Sequence, residues 1–438
     1  MSKESNHTIF ERFLHSQTSG SIVLIIATVI AVFWANSPWA KLYFDLSHLE
    51  IGVVIAEKTY KMGLAHWVKD GLMTLFFFVV GLEIKREVLL GELSSIKKAS
   101  LPVFAAIGGC ITPALIYFFF NTSGPTASGW GIPMATDIAF AIGILSLLGD
   151  KVPTGLKIFL TALAIVDDLI AVLVIAIFYT ESINIMSLII AGGFLFLFYI
   201  AVKFNARRPL LFFFPALGVW ISFMFSGIHA TVAGVLIALL VPITPRIEPS
   251  EFFQALKDYY LSLKEMGKIT KETLATDKKQ WLLVEKIYLT VEDMIPSGVY
   301  LEKHFHPVQA FIVLPLFALF SAGVTITSNM ITHFPGDISL GIIAGLVLGK
   351  PVGIIFFSWL AIFTKIADMP KGVKWSYLFG AGLLAGIGFT MSIFISELGF
   401  KDQTLIDEAK LSIFIASFLA GLFGFLFLKL KLKGSNEI

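Results

Sequence analysis

The stretch GLKIFLTALAIVDDLIAVLVIAIFYT, from Gly155 to Thr180, decides the fold class. About 20 apolar residues are enough for a helix to cross the roughly 30 Å hydrocarbon core of a bilayer. Apart from Lys157 near its start, the only charged residues of this stretch are the adjacent Asp167 and Asp168. Ionised carboxylates at mid-depth are costly and usually mark an ion or proton path. The stretch therefore predicts a membrane helix with two functional carboxylates.

Two other apolar stretches also carry charge at membrane depth. Asp137 lies beside Pro133 and Thr136, and Lys350 lies within GIIAGLVLGKPVGIIFFSWLA. Four ionisable groups inside predicted spans favour a transporter.

The composition of the whole chain supports a membrane protein. Its 438 residues are 56% hydrophobic and 15% charged, whereas a soluble domain carries nearer a quarter charged residues. A net charge of +2 argues against a nucleic-acid partner. The one cysteine, Cys110, excludes an intramolecular disulfide and a cysteine-based metal site. The polar N-terminus shows no cleavage site, so the first apolar run is interpreted as a span and not as a removed signal peptide.

Apolar runs predict an all-α polytopic membrane protein with about twelve transmembrane helices. The first 243 residues would hold helices 1–8, residues 244–307 an extended cytoplasmic loop, residues 308–430 helices 9–12, and residues 431–438 a cytoplasmic tail. Ser226 to His229 divide the run 209–243 into two short helices. The predicted spans are 20–36, 67–83, 99–120, 130–148, 156–179, 186–202, 209–225, 229–243, 308–326, 338–363, 376–396 and 409–428.

The distribution of basic residues predicts the orientation. Lys and Arg are concentrated in one set of short loops, as in Lys85-Arg86, Lys97-Lys98 and Arg207-Arg208, and the positive-inside rule makes that side cytoplasmic. Both termini are then cytoplasmic. The opposite side holds fewer basic residues, namely Lys41, Lys58, Lys61, Lys69, Lys401 and Lys410.

Two loops have recognisable character of their own. The outside run HLEIGVVIAEKTYKM contains β-branched residues and predicts a small hairpin near 45–60. The inside segment 245–307 has apolar residues at helical spacing, which favours a pair of amphipathic helices over a lipid-binding or regulatory module.

The fourth and eleventh spans are interrupted. The fourth contains GWGIPMATDIAFAIG and the eleventh GAGLLAGIGFTMSIF, with breaks at Pro133 and at Gly386 to Gly388. Unwound backbone at membrane depth survives only where protein or a cavity surrounds it. One interrupted span in each half predicts inverted repeats whose broken helices cross at mid-membrane.

The charged residues suggest distinct roles. Consecutive helical residues point about 100° apart, so one of Asp167 and Asp168 can pair with a cation while the other lines a water-filled funnel. A protonated structural carboxyl at Asp168 and a snorkelling Lys350 are the alternatives. Asp137 follows a break, where it can cap a helix or assist a cation.

The donor set suits a small hard cation. Carboxylate, hydroxyl and carbonyl oxygens favour Na⁺ or Li⁺ over transition metals. Because burial disfavours a charged carboxylate, the same oxygens can hold either a proton or a cation near neutral pH.

Seven motifs resemble the bacterial NhaA-type sodium/proton antiporter family. They occur in order along nearly the whole chain: GLEIKRE (81–87), PMATDIAFAIG (133–143), ALAIVDDLIA (162–171), SGIHATVAG (226–234), HPVQAFIVLPLFALFSAGV (306–324), GLVLGKPVGI (345–354) and AGIGFTMSIFIS (385–396). The long segment 245–300 departs from the family pattern.

The resemblance implies electrogenic, pH-regulated Na⁺(Li⁺)/H⁺ antiport in a bacterial inner membrane, without a cofactor, by a homodimer with the hairpin as a contact. Asp168 would be the main cation ligand, and Asp167 and Thr136 would bind the transported cation with it. Asp167 would also pair with Lys350, and Asp137 would offset helix dipoles and assist binding. The residues that the resemblance links to pH response are Glu83, Arg86, Glu87, His229, Glu302 and His306.

Other functions remain open at this stage. A solute symporter of similar architecture is the main rival. An ion channel needs no proton coupling, but broken helices around carboxylates favour alternating access. An intramembrane aspartyl protease would lack its Gly-x-Gly-Asp motif and would leave Lys350 without a role.

Overall fold

A computed structural model describes residues 17–433 except 56, 57, 181, 268, 328, 329, 331 and 333. The N-terminal segment before Gln17, which sequence analysis makes cytoplasmic, and residues 434–438 of the predicted tail lie outside the described residues. The described chain is mainly helical. Its α-helices are α1 (Gln17–Ala35), α2 (Ala40–Ser47), α3 (Met73–Leu90), α4 (Ile96–Phe120), α5 (Ile138–Ser146), α6 (Thr154–Phe178), α7 (Ile185–Lys203), α8 (Leu210–Met224), α9 (Thr231–Leu240), α10 (Pro249–Glu265), α11 (Lys271–Thr276), α12 (Lys278–Met294), α13 (Ser297–Val308), α14 (Leu314–Ser321), α15 (Asp337–Ala344), α16 (Lys350–Phe363), α17 (Trp375–Ala385), α18 (Phe389–Gly399) and α19 (Gln403–Lys433).

Shorter helical segments extend or join several of these helices. The π-helical segments Gln309–Val313 and Gly345–Gly349 join α13 to α14 and α15 to α16. The short α-helix Leu64–Trp67 and the π-helical segment Val68–Leu72 precede α3. Two 3₁₀ helices cover Pro125–Met134 and Gly149–Lys151.

Seven helical segments of the described chain are long and apolar enough to cross a membrane. The pair α17 and α18, bent by 48°, forms an eighth, and α1 belongs to a second bent pair. These helices, the short apolar α8 and α9, and α3 with its preceding turns coincide with the twelve predicted spans. The prediction of an all-α polytopic membrane protein is therefore confirmed, while the inverted relation of the two halves stays a prediction.

The break between α8 and α9 lies where sequence analysis placed it. Gly227 adopts a φ of 85°, and a Cβ built there would lie 1.6 Å from the carbonyl oxygen of Ser182. Only glycine tolerates both the left-handed backbone and this close approach.

The predicted hairpin is present as strands β1 (Glu50–Ile55) and β2 (Lys58–Gly63), which pair antiparallel with Glu50 opposite Gly63. We call this end of the molecule the hairpin end. The other end carries α10 to α12 and is called the insertion end.

The insertion-end helices lie within the segment 244–307. Asp293 ties them to the spans by accepting from Arg207 Nη2 at 2.7 Å and from Arg246 Nη1 at 3.4 Å. The helical rod of the ninth span begins at Ser297, inside this segment, and reaches Ser321. The apolar run thus marks only the second part of a longer helix.

Buried apolar side chains form two cores in the described chain. The larger core draws on α1, α3 to α6, α9 and α14 to α19, including Phe77, Leu163 and Phe394. The smaller core is built from α3, α7, α8 and α9 around Leu82 and Phe198. The helices α3 and α9 therefore contribute side chains to both cores.

Candidate functional site

The two interrupted spans meet at their breaks. In the fourth span, an extended link from Ala135 to Asp137 follows the 3₁₀ helix Pro125–Met134 and leads into α5. In the eleventh span, Gly386 to Gly388 separate α17 from α18. The Asp137 backbone N–H donates to Ile387 O at 2.7 Å, and Thr136 Oγ1 donates to Ala385 O at 2.8 Å. Each unwound segment thus satisfies backbone groups of the other, as membrane depth requires. The predicted contact between the broken helices is present.

Asp137 lies at the N-termini of two helices at once. Its Oδ1 accepts from the Phe140 N–H at 3.1 Å, which caps α5. Its Oδ2 accepts from the Thr390 N–H at 3.2 Å and from the Thr390 hydroxyl, both in the first turn of α18. Helix N-termini carry partial positive charge, so the carboxylate offsets two dipoles. This geometry agrees with the role expected of Asp137.

Asp167 is held by two donors. Lys350 Nζ lies 2.5 Å from its Oδ2, and Cys110 Sγ donates to its Oδ1 at 3.0 Å. The Lys350 side chain is 1% exposed, so the snorkelling alternative is wrong. The structure therefore pairs Asp167 with Lys350, as sequence analysis expected, and adds Cys110 as a second partner.

A direct backbone contact between α4 and α16 places these donors. A Cβ on Gly108 would lie 2.3 Å from Gly353 O, and one on Gly353 would lie 2.1 Å from Gly108 O. Small residues permit such close approach between membrane helices. Because the helices touch there, Cys110 on α4 and Lys350 on α16 both reach Asp167 on α6.

Asp168 differs from its neighbour. Asp168 is only 3% exposed. In the described part of the chain its carboxylate nevertheless has no hydrogen-bond donor. The 100° step between consecutive helical residues explains why it does not share the partners of Asp167. Of the two adjacent carboxylates, Asp168 is therefore the one without a hydrogen-bond donor among the described residues.

Comparison with known proteins identifies the family of the chain. The sequence profile of the family described as Na+/H+ antiporter 1 matches residues 11–428. The chain belongs to this family. It is 44% identical over 420 residues to the Na(+)/H(+) antiporter NhaA 2 of Syntrophotalea carbinolica, covering 95% of each chain. It is 45% identical over 421 residues to the Na(+)/H(+) antiporter NhaA of Acidithiobacillus ferrooxidans, covering 96% of each chain. The predicted family is therefore confirmed, and with it a transporter rather than a catalytic enzyme.

In this member of the antiporter family, most of the residues linked to pH response gather at the insertion end. Arg86 Nε donates to Glu302 Oε2 at 3.0 Å, and Arg86 Nη1 pairs with Glu87 at 2.9 Å. Glu83 lies on α3 one turn before Arg86 and Glu87. His306 is exposed and follows Glu302 by one turn of α13. These five residues therefore form one neighbourhood on α3 and α13.

His229 does not join them. It lies in the link between α8 and α9 at the hairpin end, where its Nδ1 is 2.9 Å from Thr231 Oγ1 and its Nε2 is 3.6 Å from Asp70 Oδ1. Its ring also meets Phe394 edge-on at 5.2 Å. Any part that His229 takes in a pH response would act from the opposite end of the molecule.

Sequence analysis missed three kinds of residue at or near the site. Cys110 was treated only as a lone thiol, although its place in an apolar span is a weak signal of a site contact. Thr390 could have been found as the counterpart of Thr136, because each threonine adjoins a break. Lys69 and Lys410 were assigned to outside segments, yet both contact the buried Glu397.

Proposed function

We propose that the chain is an electrogenic antiporter of a bacterial inner membrane that exports Na⁺ or Li⁺ in exchange for H⁺, with Asp168 as the main cation ligand. The observation that supports this most directly is the contrast between the two adjacent carboxylates. Asp167 has a donor on each oxygen, whereas Asp168 is equally buried and has none among the described residues. An unpaired carboxylate at membrane depth needs a proton or a cation. The two ions would then compete for the same oxygens.

Thr136 and Asp167 complete the proposed cation site. The Thr136 hydroxyl gives its proton to Ala385 O, so its own oxygen can face a cation. Asp167 becomes a ligand only when it releases Lys350. Asp137 keeps the helix N-termini in place and offsets their dipoles. No organic cofactor or resident metal enters this proposal.

Alternating access would expose the site to one side and then to the other. The two broken helices hold each other through backbone and hydroxyl contacts, which supports their movement as one unit. The larger core contains this unit, and the smaller core offers a body against which it can move.

The remaining features of the proposal concern orientation, regulation and assembly. Both termini face the cytoplasm, which makes the insertion end cytoplasmic and the hairpin end external. Glu83, Arg86, Glu87, Glu302 and His306 would adjust activity to pH from the cytoplasmic side, and His229 from the external side. A homodimer in the lipid bilayer would use the hairpin β1–β2, whose Ile51 is exposed.

Asp168→Asn tests the cation ligand in sealed vesicles that carry an internal pH indicator. The substitution keeps the side-chain volume but removes the charge and the titratable proton. Adding Na⁺ or Li⁺ should collapse a pH gradient in vesicles that contain the unaltered protein. The response to K⁺ in the same vesicles measures the selectivity among cations. The variant should give no response, a loss of at least about 100-fold.

Asp45→Asn is the matched control, because Asp45 is an exposed aspartate at the hairpin end. It should exchange ions at the unaltered rate. Exchange by a membrane-inserted Asp168→Asn protein at the rate of the control would refute the assignment of Asp168. A Na⁺-dependent uptake of an organic solute without proton movement would instead favour a symporter.

A further inference from the structure

A second buried ion cluster lies at the hairpin end, outside the site. Glu397 Oε1 accepts from Lys69 Nζ and from Lys410 Nζ, each at 2.8 Å. The side chains of Glu397 and Lys410 are 9% and 5% exposed. We call these three residues the hairpin-end ion cluster.

The cluster joins elements that belong to different parts of the fold. Glu397 lies on α18 and Lys410 on α19, and in the described chain both helices pack in the larger core only. Lys69 precedes α3, which also packs on the smaller core. The Lys69–Glu397 contact therefore joins α18 to the start of α3, a helix that packs on both cores, whereas the Lys410–Glu397 contact joins two helices of the larger core alone.

The helix α18 connects this cluster to the site. Thr390, Phe394 and Glu397 are spaced by four and three residues, so they lie along one face of α18. Thr390 binds Asp137, and Glu397 binds the two lysines. The face thus leads from the broken helices directly to the hairpin end.

Phe394 lies between Thr390 and Glu397 on this face and contacts three other aromatic rings. The Phe394 ring centroid lies 5.9 Å from that of Phe77 on α3, 6.1 Å from that of Phe317 on α14 and 5.2 Å from that of His229. All three phenylalanines are buried. Phe394 therefore packs α18 against α3, α14 and the link before α9, between Thr390 and Glu397 along the helix.

The cluster is not fully satisfied. Both lysines bind the same oxygen of Glu397, and Glu397 Oε2 is buried with no hydrogen-bond partner in the described structure. A polar network with an unsatisfied member is less stable than a complete one. Such a contact can hold two elements together and still open at modest cost.

We propose that the Lys69–Glu397 contact holds the transport path closed on the hairpin side, so that its opening is required before the site can face that side. The inference rests on the proposed function, since it assumes that the site is exposed alternately to the two ends. Glu397 acts here as a positioning residue: it touches no transported ion and fixes α18, and with it Phe394, against α3. Lys410 keeps Glu397 in place without crossing to α3.

The single thiol of the chain offers a direct test. Cys110 is bound to Asp167, so its rate of modification reports access to the site. Vesicles of each known orientation are treated with a small, membrane-impermeant cationic methanethiosulfonate. Glu397→Gln and Lys69→Gln should each raise the rate of Cys110 modification from the hairpin side by about fivefold or more, and lower it from the insertion side.

Two control variants separate this role from a general effect of charge. Lys410→Gln removes a lysine from the same cluster but leaves the contact to α3, so it should change access from the hairpin side little. Glu50→Gln repeats the Glu397 substitution in the exposed pair of Glu50 with Lys61 and should change nothing. An increase with Lys410→Gln equal to that with Lys69→Gln would overturn the proposal.

A transport measurement covers the case in which Cys110 reacts too slowly. Affinity measured from one side is weakened by the fraction of molecules that are closed to that side. Glu397→Gln and Lys69→Gln should therefore lower the Na⁺ concentration for half-maximal exchange on the hairpin side and raise it on the insertion side. Unchanged values on both sides, with normal exchange, would refute the role of the cluster.

The two proposals can fail separately. If the unaltered protein exchanged no Na⁺ for H⁺ while Lys69→Gln still increased Cys110 access from the hairpin side, the proposed function would be wrong and the role of the cluster would stand. Normal exchange with unchanged access and unchanged affinity would leave the function intact and reject the cluster.

Discussion

The Asp167–Lys350 pair and the hairpin-end ion cluster use the same chemistry in different places. Both bury a carboxylate against lysine with little exposure to solvent. The first pair joins α6 and α16, which belong to one core, and α16 is fixed against α4 by the backbone contact of Gly108 with Gly353. The second joins α18 through Lys69 to α3, which packs on both cores. Two buried ion pairs of the same composition therefore hold different sets of helices together.

The largest expected difference between the Asp167–Lys350 pair and the hairpin-end ion cluster is the stability lost when one lysine is removed. Lys350→Ala leaves Asp167 with only the weak thiol donor, and breaking a buried pair costs about 3–5 kcal/mol. Lys410→Ala leaves Glu397 with Lys69 and should cost clearly less. Thermal unfolding in detergent measures both, with Lys61→Ala in the exposed hairpin as the control. Equal losses for the two variants would show that the two ion pairs contribute equally to stability.

The next largest expected difference lies in how apparent Na⁺ affinity depends on pH, because Asp168 is the proposed ligand and Glu397 is not. If protons and Na⁺ share Asp168, apparent affinity falls close to tenfold per pH unit for each proton displaced on the acidic side, which is about 1.4 kcal/mol. Glu397→Gln should shift the affinity but keep this slope, because Glu397 is not a ligand.

A double variant, Glu83→Ala with Glu302→Ala, tests where that slope originates. Apparent Na⁺ affinity is measured at several pH values in the unaltered protein, in the double variant and in Glu397→Gln. A slope that vanished only in the double variant would place the pH dependence at the insertion end. An affinity independent of pH in the unaltered protein would contradict competition at Asp168.

The smallest expected effect concerns the stability contributed by Lys69. Its side chain is 26% exposed, so water can solvate it once the contact opens. Partly exposed ion pairs contribute about 1 kcal/mol or less. Lys69→Gln should therefore lower the thermal midpoint only slightly while changing access to the site. A large loss of stability would show that Lys69 is a structural residue of the larger core.

The sequence predicts this fold well because a membrane-spanning helix needs an apolar run of sufficient length, and any charged residue within the run is easily recognised. The apolar runs gave the spans, and the charges within them gave Asp167, Asp168, Asp137 and Lys350. A lone lysine at mid-depth predicted that Lys350 pairs with an aspartate or balances helix C-termini, and the family resemblance singled out Asp167. The break at Gly227 followed from the polar residues that interrupt its apolar run.

The residues that sequence missed depend on which helix faces share a contact. Cys110 reaches Asp167 only because α4 and α16 touch at two glycines, which no periodicity reveals. Glu397 and Lys410 lie near span ends, where charge usually signals solvent, and packing buries them instead. The helix through Ser297 is polar in its first turns, so an apolar run could not mark its beginning.

The pairing of Asp167 with Lys350 also bears on how the exchange responds to voltage. With the pair intact, Asp168 carrying Na⁺ and Asp168 carrying H⁺ both leave the site with zero net charge, so exchange of one ion for one proton moves no charge across the membrane. A second proton can be carried only if the pair opens: either the proton neutralises Asp167, or Lys350 releases its own proton when Asp167 binds Na⁺. In the first case the proton-loaded site has one positive charge, in the second the sodium-loaded site has one negative charge, and the membrane potential acts on the charged form. Current during exchange would therefore report the opening of this ion pair.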